Sequence, residues 1–254
     1  MKTSILAALF FFILSGIVAQ PKKYTSANIH AHNDYEHNVP FTDAYNLQLG
    51  SIEADVFLIN DSLFVSHSLK TLKRDVLLDG AYLSKLNAAV LKNKGLAYTG
   101  KDRVLQLLID LKTDSLHTLN AVVNNIKKYP ALLNNPGIRF VITGNQVPAE
   151  AFDQYPAYIL FDGNLDKPSH QQHLARIGLF SANFAKFSKW KGEGDLPAAD
   201  LELIRAAIGK AHSLNKQIRF WGVPDTPHTW RIMMDLGVDY INTDKIAELA
   251  KFLQ

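Results

Sequence analysis

The polar and apolar positions of this chain follow two periods in alternation. Short runs rich in β-branched and aliphatic residues predict strands at Ala27 to His32, Ser51 to Ile59, Leu105 to Leu111, Ile138 to Thr143, Tyr158 to Asp162, Leu179 to Ala182, Ile218 to Val223 and Asp239 to Thr243. Patterns of helical period fall between many of them, at Phe41 to Leu49, Ser115 to Lys128, Ala198 to Leu214, Pro227 to Leu236 and Lys245 to Leu253. Strands separated by helices imply a parallel sheet, and eight strand segments match the count of a (β/α)8 TIM barrel in the α/β class. Gly50, Gly178 and Gly237 stand just before or at strand starts, where helix C-termini belong, and Asp244 is placed to cap the last helix. Asn60-Asp61 predicts a tight hairpin that adds an arm, Leu63 to Val65, to the second strand. The rival architecture, an open doubly wound sheet, normally has a glycine-rich turn after its first strand, whereas this chain has His32-Asn33-Asp34-Tyr35.

The first residues change the picture of where the barrel works. Lys2 followed by an apolar run from Ile5 to Val18, shorter than a bilayer span, predicts a secretory signal over residues 1–19 and export to a periplasmic or extracellular space. Residues 20–254 then form one domain, with no linker or repeat to divide them. The chain has no cysteine, which excludes disulfides and thiolate metal sites, so stability rests on the core. Net charge is +3 without a dense basic block, which disfavours nucleic acid. Lys186, Lys189 and Lys191 with Phe184, Phe187 and Trp190 form the one basic-aromatic cluster, readable as a contact with an anionic membrane surface or as a mobile loop over an active site.

Candidate chemistry gathers at strand ends. Side chains at i and i+2 of a strand share a face, so Glu53 and Asp55 point together, and Leu108, Asp110 and Lys112 bring a third carboxylate to the same mouth. Converging carboxylates either bind a cation or titrate upward. An all-oxygen donor set favours Mg²⁺ or Ca²⁺ over zinc. His32 ends the first strand and His67 follows the hairpin arm, so two imidazoles flank the acids, each suited to acid or base work near neutral pH. Arg219 and Trp221 share a face of the seventh strand, and Gly222, Pro224 and Pro227 follow at once, which places Trp221 at the barrel rim.

The segments His30-Ala-His-Asn-Asp-Tyr35, Ser51-Ile-Glu-Ala-Asp-Val56, Val65-Ser-His67 and Leu107-Leu-Ile-Asp-Leu-Lys112 resemble the phosphatidylinositol-phospholipase-C-like and glycerophosphodiester-phosphodiesterase-like barrels. With Arg219-Phe-Trp-Gly-Val-Pro224 and Gly237-Val-Asp-Tyr-Ile-Asn242, the likeness is greatest to the subgroup that includes the yeast altered-inheritance-of-mitochondria protein 6. The resemblance implies a phosphoric diester hydrolase, or a cyclising phosphodiesterase, with His32 and His67 as acid/base pair and Glu53, Asp55 and Asp110 around a divalent cation. It further implies that Asn33 is an additional ligand, that Lys112 binds the phosphate, and that Trp221 and Asn242 contact the substrate as in sphingomyelinase D enzymes. The usual His-Arg-Gly opening of glycerophosphodiesterases is absent, since Asn33-Asp34 replace its last two residues. The substrate expected is a small-molecule or lipid phosphodiester, with peripheral membrane contact and a monomeric protein.

Two other classes fit parts of the pattern. His30-Ala-His32, with Asp244 after the eighth strand, matches the zinc pair of amidohydrolase barrels, but Asp162-Gly163 and Ala182-Asn183 stand where further histidines belong. Under the phosphodiesterase reading His30 only supports or packs, and His37, His117, His170, His173, His212 and His228 are surface or loop positions. A barrel that binds lipid or glycan without turnover is the second alternative.

Overall fold

A computed structural model describes residues 23–100 and 103–254; the expected export signal lies outside the described residues. The strands are β1 (Ile29–Ala31), β2 (Ser51–Ile59), β3 (Ser62–Val65), β4 (Leu105–Leu111), β5 (Ile138–Gly144), β6 (Ile159–Gly163), β7 (Ile177–Asn183), β8 (Ile218–Trp221) and β9 (Ile241–Thr243). All but β3 run parallel in the order β8-β7-β6-β5-β4-β2-β1-β9, and β3 folds back antiparallel on β2, as the Asn60-Asp61 turn predicts. Arg219 bridges Tyr240 and closes the ring between β8 and β9. This is the eight-stranded α/β barrel read from the sequence.

The α-helices are α1 (Thr42–Asn46), α2 (Ser84–Lys92), α3 (Ser115–Ile126), α4 (Pro168–Gln172), α5 (Ala198–Ser213), α6 (Pro227–Leu236) and α7 (Ile246–Phe252). Asp114 and Thr226 cap α3 and α6 through side-chain oxygens, and Gly237 ends α6 in the left-handed conformation, φ 86°. Helix α1 is shorter than its apolar pattern because Gln48 turns left-handed at φ 55°. Asp244 does not cap α7; Lys245 holds that position, and the carboxylate of Asp244 turns to His32 instead.

Two apolar bodies result. The larger lies between the sheet's outer face and the helices, where Ile52, Ile109, Phe140, Phe161, Phe220 and Trp230 are buried. The smaller, Leu108, Val141, Leu179 and Tyr240 with Leu160, fills the lumen. Two residues further along each of these strands the lumen-facing position turns polar or charged: Asp110, Thr143, Asp162, Ser181 and Asn242. The lumen is thus plugged with hydrocarbon at one end and lined with ionisable groups at the mouth. His170 and His212 are not plain surface positions: His170 is buried against the ring of Phe152, and His212 Nε2 meets Asp239 Oδ2 at 2.9 Å.

Candidate active site

Register builds the acid cluster. Strands β2 and β4 pair so that Asp55 lies level with Asp110, and Glu53 sits one lumen-facing step deeper. One oxygen from each of Glu53, Asp55 and Asp110 lies within 4.8 Å of the others. Glu53 and Asp55 are almost fully buried. Lys112 Nζ stands 2.7 Å from Asp110 Oδ2 and 3.0 Å from Asp55 Oδ2, so an ammonium bridges the two upper acids. The other oxygen of Asp110, Oδ1, is buried without a hydrogen-bond partner. An orphaned carboxylate oxygen beside two further carboxylates is the donor set of a hard divalent cation, so these residues fit one.

Charges here are unequal. Burial would push Glu53 up, but the guanidinium of Arg219, 3.4 Å away, holds its carboxyl well below the usual range. Asp55 is pushed up to about 6 by burial and the adjacent charge of Asp110, with Lys112 opposing. Burial also raises Asp110, against the pull of Lys112. Arg219 is a buried strut: its Nε donates to Ser181 Oγ at 2.8 Å, and its Nη1 to Asn242 Oδ1 at 3.1 Å and to His30 Nε2. A guanidinium only donates, so His30 Nε2 accepts and Nδ1–H points to Ser51 Oγ at 2.7 Å. His30 is therefore neutral, and burial with the charge of Arg219 lowers it to about 4. The 3.4 Å contact of the same Nε2 with Glu53 is then no hydrogen bond. With both nitrogens engaged and a guanidinium alongside, His30 does not fit the zinc pair of an amidohydrolase.

The two expected acid/base residues differ in how they are held. His32 lies just past β1, its backbone N–H on Thr243 O at 3.0 Å, and its Nδ1 donates to Asp244 Oδ1 at 2.7 Å. This leaves Nε2 facing the cluster, 3.8 Å from Glu53. Burial works to lower the His32 pKa, but the Asp244 hydrogen bond and the charge of Glu53 raise it overall. His67 stands at the mouth with its side chain 60% exposed, Nδ1 3.8 Å from Asp55. Tyr35, given no role in the sequence reading, links this side: its hydroxyl donates to Asp55 Oδ2 at 2.8 Å and lies 2.5 Å from Asn33 Oδ1 and 3.4 Å from His67 Nδ1. Asn33 thus sits beside the cluster, positioned by a left-handed φ of 49°.

The structure does not bring every expected residue together. Asn242 is spent on Arg219, so it shapes the lumen through that strut. Trp221 is 42% exposed at the rim, which excludes the core, and it lines a hollow with Ser181 and Asn183. In the basic-aromatic cluster, Phe184 is buried, Phe187 packs edge-on against Phe220, and Trp190 Nε1 donates to Glu193 O, so only its lysines face outward. Arg219 and Tyr35 carried one signal in sequence: polar residues at lumen-facing or post-strand positions. The Asp244 contact with His32 had none, since 212 residues separate them.

Family comparisons divide along the same architecture. The model for an AIM6-like phosphodiesterase domain matches residues 21–132, which contain the acids, both histidines and Lys112. A model for the glycerophosphoryl diester phosphodiesterase family matches residues 217–247, which carry Arg219, Asn242 and Asp244. Both matches are to the phospholipase-C-like and glycerophosphodiester-phosphodiesterase-like barrels, and the N-terminal half of the chain is similar to their AIM6-like branch. Altered inheritance of mitochondria protein 6 of Kluyveromyces lactis is 29% identical to it over 89% of this chain and 72% of that protein. The homolog from Arthroderma benhamiae is 27% identical over 86% of this chain and 81% of that protein. Among solved structures, a glycerophosphodiester phosphodiesterase from Parabacteroides distasonis superposes with a TM-score of 0.58 at 17% identity, covering 89% of this chain and 96% of that one. That likeness shows the shared barrel. In this chain the acid cluster, the two histidines and the Arg219 strut lie at the polar end of the lumen.

Proposed function

We propose that this protein is a divalent-cation-dependent phosphodiesterase in which His32 and His67 exchange protons with the reacting oxygens. One observation carries the reading: three carboxylates lie together, one oxygen of Asp110 is buried without a partner, and histidines stand on either side. Glu53, Asp55 and Asp110 would hold the cation, with Asn33 alongside. Bound there, Mg²⁺ or Ca²⁺ supplies positive charge for the nonbridging phosphate oxygens. Lys112, once released from its acids, adds an ammonium to the same phosphate.

His32 is oriented by Asp244 as a general base, so Nε2 takes the proton of the attacking hydroxyl, whether water or a hydroxyl of the substrate. His67 faces solvent and gives its proton to the departing oxygen as the second phosphorus–oxygen bond breaks. An exported protein that meets its substrate at a membrane surface is the setting this reading favours. The test is turnover of bis(4-nitrophenyl) phosphate by purified protein with Mg²⁺ or Ca²⁺, stopped by a chelator and restored by the cation. Failure with either ion, in folded protein, would leave a binding barrel in its place.

A further inference from the structure

Two hollows are lined by neighbours of the acid cluster, and they differ in chemistry. One, of about 540 Å³, includes Tyr35, Ser66, His67, Thr71, Lys73 and Asp75, and joins the cluster where Tyr35 meets Asp55. It is a polar hollow. The other, of about 330 Å³, lies between the ends of β6 to β8 and helix α5, walled by Leu165, Ala182, Phe187, Leu203, Ala207 and Trp221. Ser181 and Asn183 line it too, and with Trp221 they continue the lumen-facing positions of their strands. Ser181 on its wall accepts from Arg219, which in turn contacts Glu53, so the hollow and the cluster share one strut.

The polar atoms of the second hollow are largely engaged within the protein. Asn183 Oδ1 accepts from Ala185 N–H, Lys210 Nζ donates to Leu165 O at 2.7 Å, and Lys186 Nζ to Asp166 Oδ2 at 3.3 Å. What remains for a ligand is mainly hydrocarbon, in a volume usual for small-molecule sites. Its mouth is marked by Leu203 and Trp221, 54% and 42% exposed. Val39, Leu69, Leu91 and Leu116 are the other exposed large apolar side chains among the described residues. Apolar exposure at Leu203 and Trp221 thus borders this hollow, where a soluble substrate would gain nothing from it.

We propose that this second hollow binds the hydrocarbon chain of the substrate alcohol, so that the substrate is a phosphodiester joining a single-chain apolar alcohol to a polar head group. The head group then lies in the hollow of Tyr35 and His67, and the phosphate over the acids between. The proposal rests on the phosphodiesterase reading, and its test separates the two. Alkyl phosphocholines from methyl to decyl are assayed with Mg²⁺ or Ca²⁺ below their aggregation concentrations. The expected kcat/KM rises roughly two- to fourfold per methylene until the hollow is full, then levels off. Ala207→Phe, which fills the hollow, cuts the decyl-to-ethyl ratio at least tenfold. Should that variant not fold, Leu203→Asp at the exposed mouth reads the same ratio. Turnover independent of chain length, or a ratio retained in the filled variant, overturns the chain site and leaves the phosphodiesterase reading standing. Calorimetric binding of decyl but not ethyl phosphocholine to chelated protein, lost in Ala207→Phe, is the readout without catalysis. Such binding with no turnover of any ester would retire the phosphodiesterase reading while the hydrocarbon site stands.

Discussion

Asp55 and Asp244 make opposite use of a carboxylate. Asp55 is buried beside Asp110, and its folded pKa of about 6 lies above the unfolded value, so its ionised form costs stability at neutral pH. That cost is present above pH 6 and disappears as the pH falls from 6 toward 4. Asp55→Asn is therefore expected to stabilise the chelated protein by roughly 1–3 kcal/mol at pH 7.5, with the advantage vanishing near pH 4. The same variant loses cation-induced stabilisation and turnover; denaturant melts with and without Mg²⁺ measure both. Asp244 is half exposed and acts on its partner instead. Removing its charge with Asp244→Asn lets the His32 pKa fall, which moves the acid limb of the kcat/KM profile to lower pH and reduces the plateau. His32→Ala and His67→Ala are each expected to cost ~10²- to 10⁴-fold in kcat, non-additively, because both serve one transition state. A limb that does not move in Asp244→Asn would separate Asp244 from the proton transfer.

Strands β2 and β4 were legible to the residue, because both are long, aliphatic and paired on each side. Strands β1 and β9 are shorter than expected, since Ser26–Asn28 forms a 3-10 turn ahead of β1, and the N–H groups of Asp239 and Tyr240 reach β8 only through isolated bonds to Ile218 O. Helix α2 went unread because it grows out of a wider turn, Asp79–Leu83, that breaks the 3.6-residue spacing. The acids and histidines were legible from strand alternation alone, whereas the Arg219 strut and the Asp244 contact depend on closure of the ring. Gly144 shows how an element's end serves the site. Its φ is +74°, and an added Cβ would lie 1.9 Å from Asp110 Oδ1. Gly144→Ala should thus push Asp110 aside and weaken cation affinity by ~10- to 100-fold, the usual effect of disturbing a ligand's support. Calorimetric titration with Mg²⁺ or Ca²⁺ checks it, and unchanged affinity would show that Asp110 Oδ1 is not a donor.

At the scale of the molecule, the cation and the fold are linked. An ion bound only by the folded chain raises stability in proportion to the logarithm of its concentration, so the melting temperature should climb with Mg²⁺ or Ca²⁺ and fall on chelation. The first and last strands, β1 and β9, pair with each other, and the Asp244–His32 bond beside them joins residues 212 positions apart. Contacts of such separation form late in folding, after most loop closure has been achieved. During refolding from denaturant, circular dichroism is therefore expected to recover before activity. A nascent or truncated chain that lacks β9 would carry every acid of the cluster and both imidazoles, yet His32 would swing free. On the phosphodiesterase reading, activity is in this sense latent until the last strand arrives, and the onset of turnover would be a timestamp for complete closure.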